Sequence, residues 1–204
     1  MKTIVNTVPG YRLNDYRLVL MPHEELASRI QKVKDEFSEQ YQSDIARFSR
    51  VQLGLVHFQQ MEMIEERVLN RLRTIAMASP PFKVELQDFG SFPSHTIYIQ
   101  VKSRLAIQQL VKEIRSESQR LMKLDEEHKP HFILEPHLTV AAKLLPWQYE
   151  KGWLEYSHRH FSGKFIADSM VLLKKPEGSS RFKVLEKFMF RNMPVLTKQG
   201  DLFG

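Results

Sequence analysis

Glu135-Pro136-His137-Leu138-Thr139-Val140-Ala141-Ala142-Lys143 is the stretch on which the reading of this chain turns. Successive side chains of a β-strand point to opposite faces. Read as a strand, the stretch sends Leu138, Val140 and Ala142 to one side and His137, Thr139, Ala141 and Lys143 to the other. The first face is apolar and suits a core. The second sets an imidazole and a hydroxyl two residues apart, a pair able to hold a phosphate oxygen and move a proton beside it, because His titrates near neutral pH. One H-x-T in a chain with eight histidines is weak evidence alone, so its weight depends on a matching stretch.

Upstream of it, the chain alternates between two periods. Tyr16 to Met21 reads as a strand, and Pro22-His23-Glu24-Glu25 opens a helix with acidic residues at its N-terminal turn, where the dipole favours them. Leu26, Ile30, Val33, Phe37 and Tyr41 form its apolar stripe, and it ends near Ser43. Arg50 to Gln59 is the next strand, with Val51, Leu53, Leu55 and His57 on one face and Gln52, Gly54 and Val56 on the other. A helix from about Met61 to Met77 stops at Pro80-Pro81. Phe82–Phe89 and Thr96–Val101 alternate cleanly about a Gly90-Ser91-Phe92-Pro93 turn and predict a hairpin. Ser103 is placed to cap a third helix over about Arg104 to Leu121.

Beyond the opening stretch, Pro146 to Tyr156 suits a short helix, and Lys164–Lys174 and Arg181–Phe190 read as strands. The segments 1–14 and 192–204 read as loosely ordered ends.

The same unit, strand, amphipathic helix, loop and strand, therefore occurs twice. Laid without a gap, Val51-Gln52-Leu53-Gly54-Leu55-Val56 falls over Pro136-His137-Leu138-Thr139-Val140-Ala141, and the apolar positions coincide. A duplicated pair predicts one bilobal α+β domain over 1–204, with antiparallel sheets lining a central groove and helices outside. By alternation the groove is lined by Gln52, Gly54, His137, Thr139 and Lys143, with Tyr98, Gln100 and Thr96 from a neighbouring strand.

The two strand-borne motif positions, the run His137-Leu138-Thr139-Val140 and the lead-in Leu18 to Leu26 together resemble the two-histidine (2H) phosphoesterases. That group contains RNA 2′,3′-cyclic phosphodiesterases and the so-called 2′-5′ RNA ligases. The resemblance runs from about Tyr16 to Phe190. It implies chemistry on a cyclic phosphate or a 2′-5′ linkage without metal or cofactor, one His acting as general base, the other as general acid, and two hydroxyls gripping phosphate oxygens.

His137 and Thr139 carry over as catalytic residues, but the first motif is degenerate, with Gln52 for His and Gly54 for the hydroxyl residue. A Gln amide donates and accepts hydrogen bonds yet carries no proton between reactant and solvent. Loss of one acid-base partner costs roughly 10²–10⁴-fold in rate. The expectation is a protein that binds a nucleotide or RNA terminus, with Lys143 attracting phosphate, Tyr98 stacking or hydrogen bonding, and catalysis weak or lost. One alternative is an active cyclic phosphodiesterase in which His137 works with His95 or His57. In a regular strand His57 lies on the face opposite Gln52 and reaches the groove only through a bulge. A further alternative is a non-catalytic interaction protein.

Composition narrows the classes. The chain has 204 residues, net charge +6 and no cysteine, which excludes a disulfide framework and thiolate chemistry and suits a reducing compartment. Positive charge is concentrated late, with ten Lys/Arg against six Asp/Glu from Pro146 to Gly204, a field that attracts phosphate-rich partners. No secretory leader or membrane-length apolar run is visible, so a soluble, cytoplasmic protein is expected. His128, His131 and His137 are too irregularly spaced for a zinc site. Trp147 and Trp153 suit packing of the short helix. Gln199-Gly200-Asp201-Leu202-Phe203 weakly resembles a bacterial peptide that docks on the replication sliding clamp.

Overall fold

In the computed structural model, which describes residues 10–43 and 50–193, Tyr16, Leu18 and Leu20 alternate into the core along β1 (Leu13–Leu20). Helix α1 (Glu24–Tyr41) begins at His23, whose Nδ1 accepts the Leu26 N–H at 3.2 Å, and ends at Gln42 in the left-handed region with φ 53°. Its stripe Leu26, Ile30, Phe37 and Tyr41 is buried. β2 (Leu53–Met61) then returns antiparallel to β1. A 3-10 turn over Glu62–Ile64 delays α2, which runs Glu65–Ala78 rather than from Met61. β3 (Phe82–Phe92) and β4 (Thr96–Val101) form the expected hairpin. After them come α3 (Arg104–Met122), β5 (His131–Phe132), β6 (His137–Ala142), α4 (Pro146–Tyr156), β7 (Ser162–Ala167), β8 (Ser169–Lys175) and β9 (Lys183–Met189). Ser103 does not cap α3 through its side chain; its Oγ accepts the Glu85 N–H instead.

Two antiparallel sheets result, one ordered β5-β2-β1-β8-β9 and the other β6-β4-β3-β7. The run Lys164–Lys174, expected as one strand, is two: β7 pairs with β3 and β8 with β1, so the chain changes sheets at Asp168. Residues Ser169 to Leu173 are all buried, which erases the alternation that would have marked the break. Met170 and Leu172 enter the main core, while Val171 and Leu173 join Val19 in a smaller cluster on the opposite face. Among the described residues no helix is long and apolar enough to cross a membrane.

The two sheets are joined by an exchange of helices. Helix α1 leaves β1 but lies on the other sheet: Leu26 lies against Gly163 of β7, and Phe37 stacks edge-on with Tyr156 of α4 at 5.2 Å. Conversely α3, leaving β4, packs beside α2, and the Leu121 carbonyl accepts Gln60 Nε2 of β2 at 2.8 Å. One continuous apolar cluster therefore draws on both sheets and both helix pairs, and burial of such an interior is the main stabilising term.

The duplication read from sequence is present in the hydrogen-bond register. β2 lies antiparallel to β1 and β6 antiparallel to β4. Each pair carries one β-bulge. Leu18 pairs with Val56 and Val19 with Gly54, leaving Leu55 extra; Ile97 pairs with Ala141 and Tyr98 with Thr139, leaving Val140 extra. Leu55 and Val140 are the residues that coincide when the two stretches are laid over each other. A bulge shifts the phase of every side chain beyond it. His57 thus moves to the Gly54 side of β2, and Ala142, not Ala141, to the Thr139 side of β6.

Candidate functional site

β2 and β6 face a common cavity of about 380 Å³. Gln52, at the entrance to β2, with Gly54 and His57 forms one wall; His137 and Thr139 of β6 form another. His131 of β5 closes the space beside His57, to which it is register-paired. Arg17 of β1 and Arg50 complete the rim.

His137 is the best-held of these groups. Its Nδ1 lies 2.9 Å from the Glu135 carbonyl oxygen. A carbonyl can only accept, so Nδ1 carries the proton and the neutral ring keeps Nε2 as an acceptor. Phe92 meets the imidazole edge-on at 4.9 Å, and Tyr98 packs on it at 5.1 Å. Tyr98 is itself seated over Gly90, where any Cβ would fall 2.6 Å from its ring. Glycine there is a condition for the ring pair that fixes His137.

The coincident position on β2 has different surroundings. Gln52 Oε1 is buried and, among the described residues, has no hydrogen-bond partner, which costs about 1–3 kcal/mol unless a ligand or solvent donor reaches it from the cavity. At Gly54 a Cβ would lie 2.6 Å from Ile133 Cδ1. Ile133 follows β5, and its N–H donates to the Leu55 carbonyl at 2.9 Å, so the bulge holds β5 against β2. The space that a motif hydroxyl would need is therefore filled by an isoleucine methyl.

The charge around the cavity is one-sided. Among the described residues no carboxylate lines it, and Arg17 and Arg50 make no ion pair. Asp15 stands just behind: its oxygens lie 2.6 Å from Lys175 Nζ, 2.9 Å from Gln59 Nε2 and 3.6 Å from His57 Nε2. Burial would raise the Asp15 carboxyl, but the Lys175 and Gln59 hydrogen bonds hold it below the usual carboxylate range. Burial, and then the Arg17 charge, pull His57 below the ordinary imidazole value, with Asp15 opposing them. His57 is thus a neutral imidazole at pH 7 whose basicity an arriving anion would raise.

Other expected residues lie elsewhere. Lys143 follows the bulged strand at φ 56°, is exposed, and is not on the cavity wall. Its placement there by strict alternation is corrected by the bulge at Val140. Tyr98 reaches the site through His137 rather than by lining it, and Thr96 is buried. Gln100 is spent on the Phe89 carbonyl at 2.7 Å. His95 sits exposed in the β3–β4 turn, with Nδ1 3.0 Å from the Pro93 carbonyl, and does not line the cavity. The clamp-like peptide 199–203 lies outside the described residues. Trp153 packs on the core, while Trp147 is 41% exposed beneath Lys151. Among the described residues no three His, Cys, Asp or Glu side chains are grouped as metal ligands.

Arg17, Arg50 and Ile133 were not singled out by sequence, and His131 was weighed only as a metal ligand. His131 belongs to a two-residue strand too short for any periodic signal. Arg17 is the outward residue of an otherwise ordinary half-buried strand.

The model of the 2′-5′ RNA ligase superfamily matches residues 22–179. A Geobacillus kaustophilus protein named as a presumed phosphoesterase is 24% identical over 176 residues, covering 85% of this chain and 95% of that protein. The crystal structure of TT0787 of Thermus thermophilus aligns over 88% of this chain and 98% of its own, with TM-score 0.58 and 17% identity. That of Escherichia coli LigT complexed with NADP+ aligns over 88% and 99%, with TM-score 0.58 and 14% identity.

Proposed function

Because this chain belongs to the 2′-5′ RNA ligase superfamily, we propose that its cavity binds the phosphorylated end of a nucleotide or RNA, with hydrolytic power weak or lost. The observation that carries the reading is the cavity wall itself. His137 and Thr139 stand on β6 with Arg17 and Arg50 at the rim, and among the described residues no carboxylate intrudes. Charge-assisted hydrogen bonds from the two guanidinium groups are the strong ones for phosphate. E. coli LigT has been crystallised with 3′-AMP and with phosphate, which supports an anion of this class here. The Gln52 amide is a donor to such an anion but no proton carrier, and Ile133 takes the place of the second hydroxyl. Isothermal calorimetry with adenosine 3′-monophosphate and adenosine 2′,3′-cyclic phosphate tests it. Binding that weakens at least tenfold in His137→Ala supports the reading. Binding unaffected by His137→Ala and Thr139→Ala overturns it and favours a protein that kept the fold for another partner.

A second reading has one observation in its favour. The bulge at Leu55 brings His57 to the cavity as a neutral imidazole, the protonation state a general base requires. Turnover of the cyclic nucleotide abolished by His57→Ala as well as by His137→Ala would establish it over the binding-only reading.

A further inference from the structure

Helix α4 is pressed into the protein along one face and turns the other to solvent. Gln148, Gly152 and Tyr156 are its buried residues, and Trp153 packs on the core. A Cβ at Gly152 would lie 2.7 Å from Cε2 of the Phe37 ring, so α4 lies tight against α1. Its first turn is tied down as well. Gln148 Oε1 accepts the Leu145 N–H at 2.9 Å, and Gln148 Nε2 donates to the Tyr41 carbonyl at 2.8 Å. The outward face is therefore displayed on a firm support.

That face carries Trp147, Glu150, Lys151 and Leu154, all exposed and spaced as one stripe of a helix. The stripe is apolar at both ends, where Trp147 is 41% and Leu154 73% exposed, and charged in the middle. Glu155 and Arg159, further along, are paired with each other at 3.6 Å, whereas among the described residues Glu150 and Lys151 make no ion pair. A single exposed apolar side chain is ordinary; the order of these four is what carries information, because it is self-complementary. An antiparallel helix pair about a two-fold axis between Glu150 and Lys151 sets Trp147 opposite Leu154 of the second copy and Glu150 opposite Lys151 of the second copy. Each contact then occurs twice, as a two-fold interface requires. A parallel pair would instead set Glu150 against Glu150 and Lys151 against Lys151, two repulsive contacts.

We propose that the exposed face of α4 is a homodimer interface, at which two copies of this chain meet by antiparallel packing of α4 on α4. The proposal is independent of what the cavity binds. A helix of 11 residues offers a footprint roughly 16 Å long and 10 Å wide. That is well short of the roughly 800 Å² per partner of a standard interface, so the dimer belongs to the weak, concentration-dependent class.

Sedimentation equilibrium of the full chain from about 10 to about 500 µM tests it, the range over which a weak homodimer fills. The weight-average mass should rise from that of one chain towards that of two. Leu154→Glu should weaken the association at least tenfold. Glu150→Lys sets ammonium groups opposite each other and Lys151→Glu sets carboxylates opposite each other, so each variant alone should also associate at least tenfold more weakly. An equimolar mixture of these two should recover the wild-type association, because every ammonium then faces a carboxylate. The same recovery shows that both variants fold. A wild type that stays monomeric throughout overturns the proposal and leaves this face to a partner of another kind. Association untouched by Leu154→Glu and by both charge reversals places the interface elsewhere and overturns it too. Loss in both reversals with no recovery on mixing rules out the antiparallel pairing, and the proposal with it.

Discussion

β2 and β6 occupy equivalent places in the two β-α-β units, each antiparallel to the first strand of its unit and each bulged at the coincident residue, Leu55 or Val140. On β6 the geometry serves an imidazole. His137 is clamped by a backbone carbonyl and two rings, and Thr139 shares the cavity wall. On β2 the same backbone carries an amide and a glycine, and β5 lies against it, with Ile133 filling the space above Gly54. The two strands share a scaffold, and where β6 carries an imidazole and a hydroxyl β2 carries an amide and packing. The difference between the strands is thus more than two residues, because the position of Ile133 depends on the glycine.

The largest expected effect comes from making the two strands alike. Gln52→His with Gly54→Thr alone would drive the threonine into Ile133 Cδ1, which a Cβ at residue 54 already approaches to 2.6 Å. Adding Ile133→Val removes that methyl. The triple variant should hydrolyse adenosine 2′,3′-cyclic phosphate roughly 10²–10⁴-fold faster than the starting protein, the range that one acid-base partner supplies. A folded triple variant with no gain in turnover would mean that the strands are equivalent in architecture but not in chemistry.

Binding should be unequal between the strands in the opposite sense. His137→Ala is expected to weaken adenosine 3′-monophosphate by roughly tenfold or more, since Nε2 accepts the O–H of the singly protonated phosphate and a hydrogen bond to a charged group contributes about 1.5–3 kcal/mol. Gln52→Ala should cost less than about threefold, because it also relieves a buried oxygen without a partner among the described residues. Equal losses would break the asymmetry. Stability sharpens it further. Gly54→Ala should destabilise by about 1 kcal/mol through overpacking, recovered by Ile133→Val, whereas Thr139→Ala should cost less. Urea unfolding midpoints of these three variants and the starting protein decide this.

Much of the architecture was legible because it rests on local pattern. The helices at Glu24, Arg104 and Pro146 and the hairpin of β3 and β4 follow from periodicity, turns and proline. The duplication was legible too, because apolar positions on both motif strands coincide. What was hidden is what a one-residue irregularity does. A bulge leaves no mark in composition, yet the bulge at Val140 removes Lys143 from the wall and the one at Leu55 brings His57 to it. The contribution of β5 was hidden for another reason: two residues carry no period, and their place is set by the Ile133 N–H reaching the bulged Leu55 carbonyl. Arg17 and Arg50 gain their meaning only from the absence of a carboxylate on the cavity wall among the described residues, a property of three-dimensional neighbourhood.

The smallest effect concerns the residue beyond each bulge, His57 on one strand and Ala142 on the other. Burial and Arg17 lower the His57 pKa in the folded protein, so the unfolded chain binds a proton first as the pH falls. His57 therefore leaves stability unchanged above the unfolded imidazole value of about 6.5. It makes the fold less stable as the pH drops from there towards its folded value. An NMR titration should place its midpoint below that of a free imidazole, and Arg17→Ala should raise it by removing the second cause. A bound phosphate should raise it as well, so that nucleotide binding below pH 6.5 takes up a proton. His57→Ala, which makes this position of β2 match Ala142 of β6, should abolish that uptake without abolishing binding. If uptake persists in His57→Ala, the proton enters elsewhere in the cavity, and the difference between the two strands does not extend past their bulges.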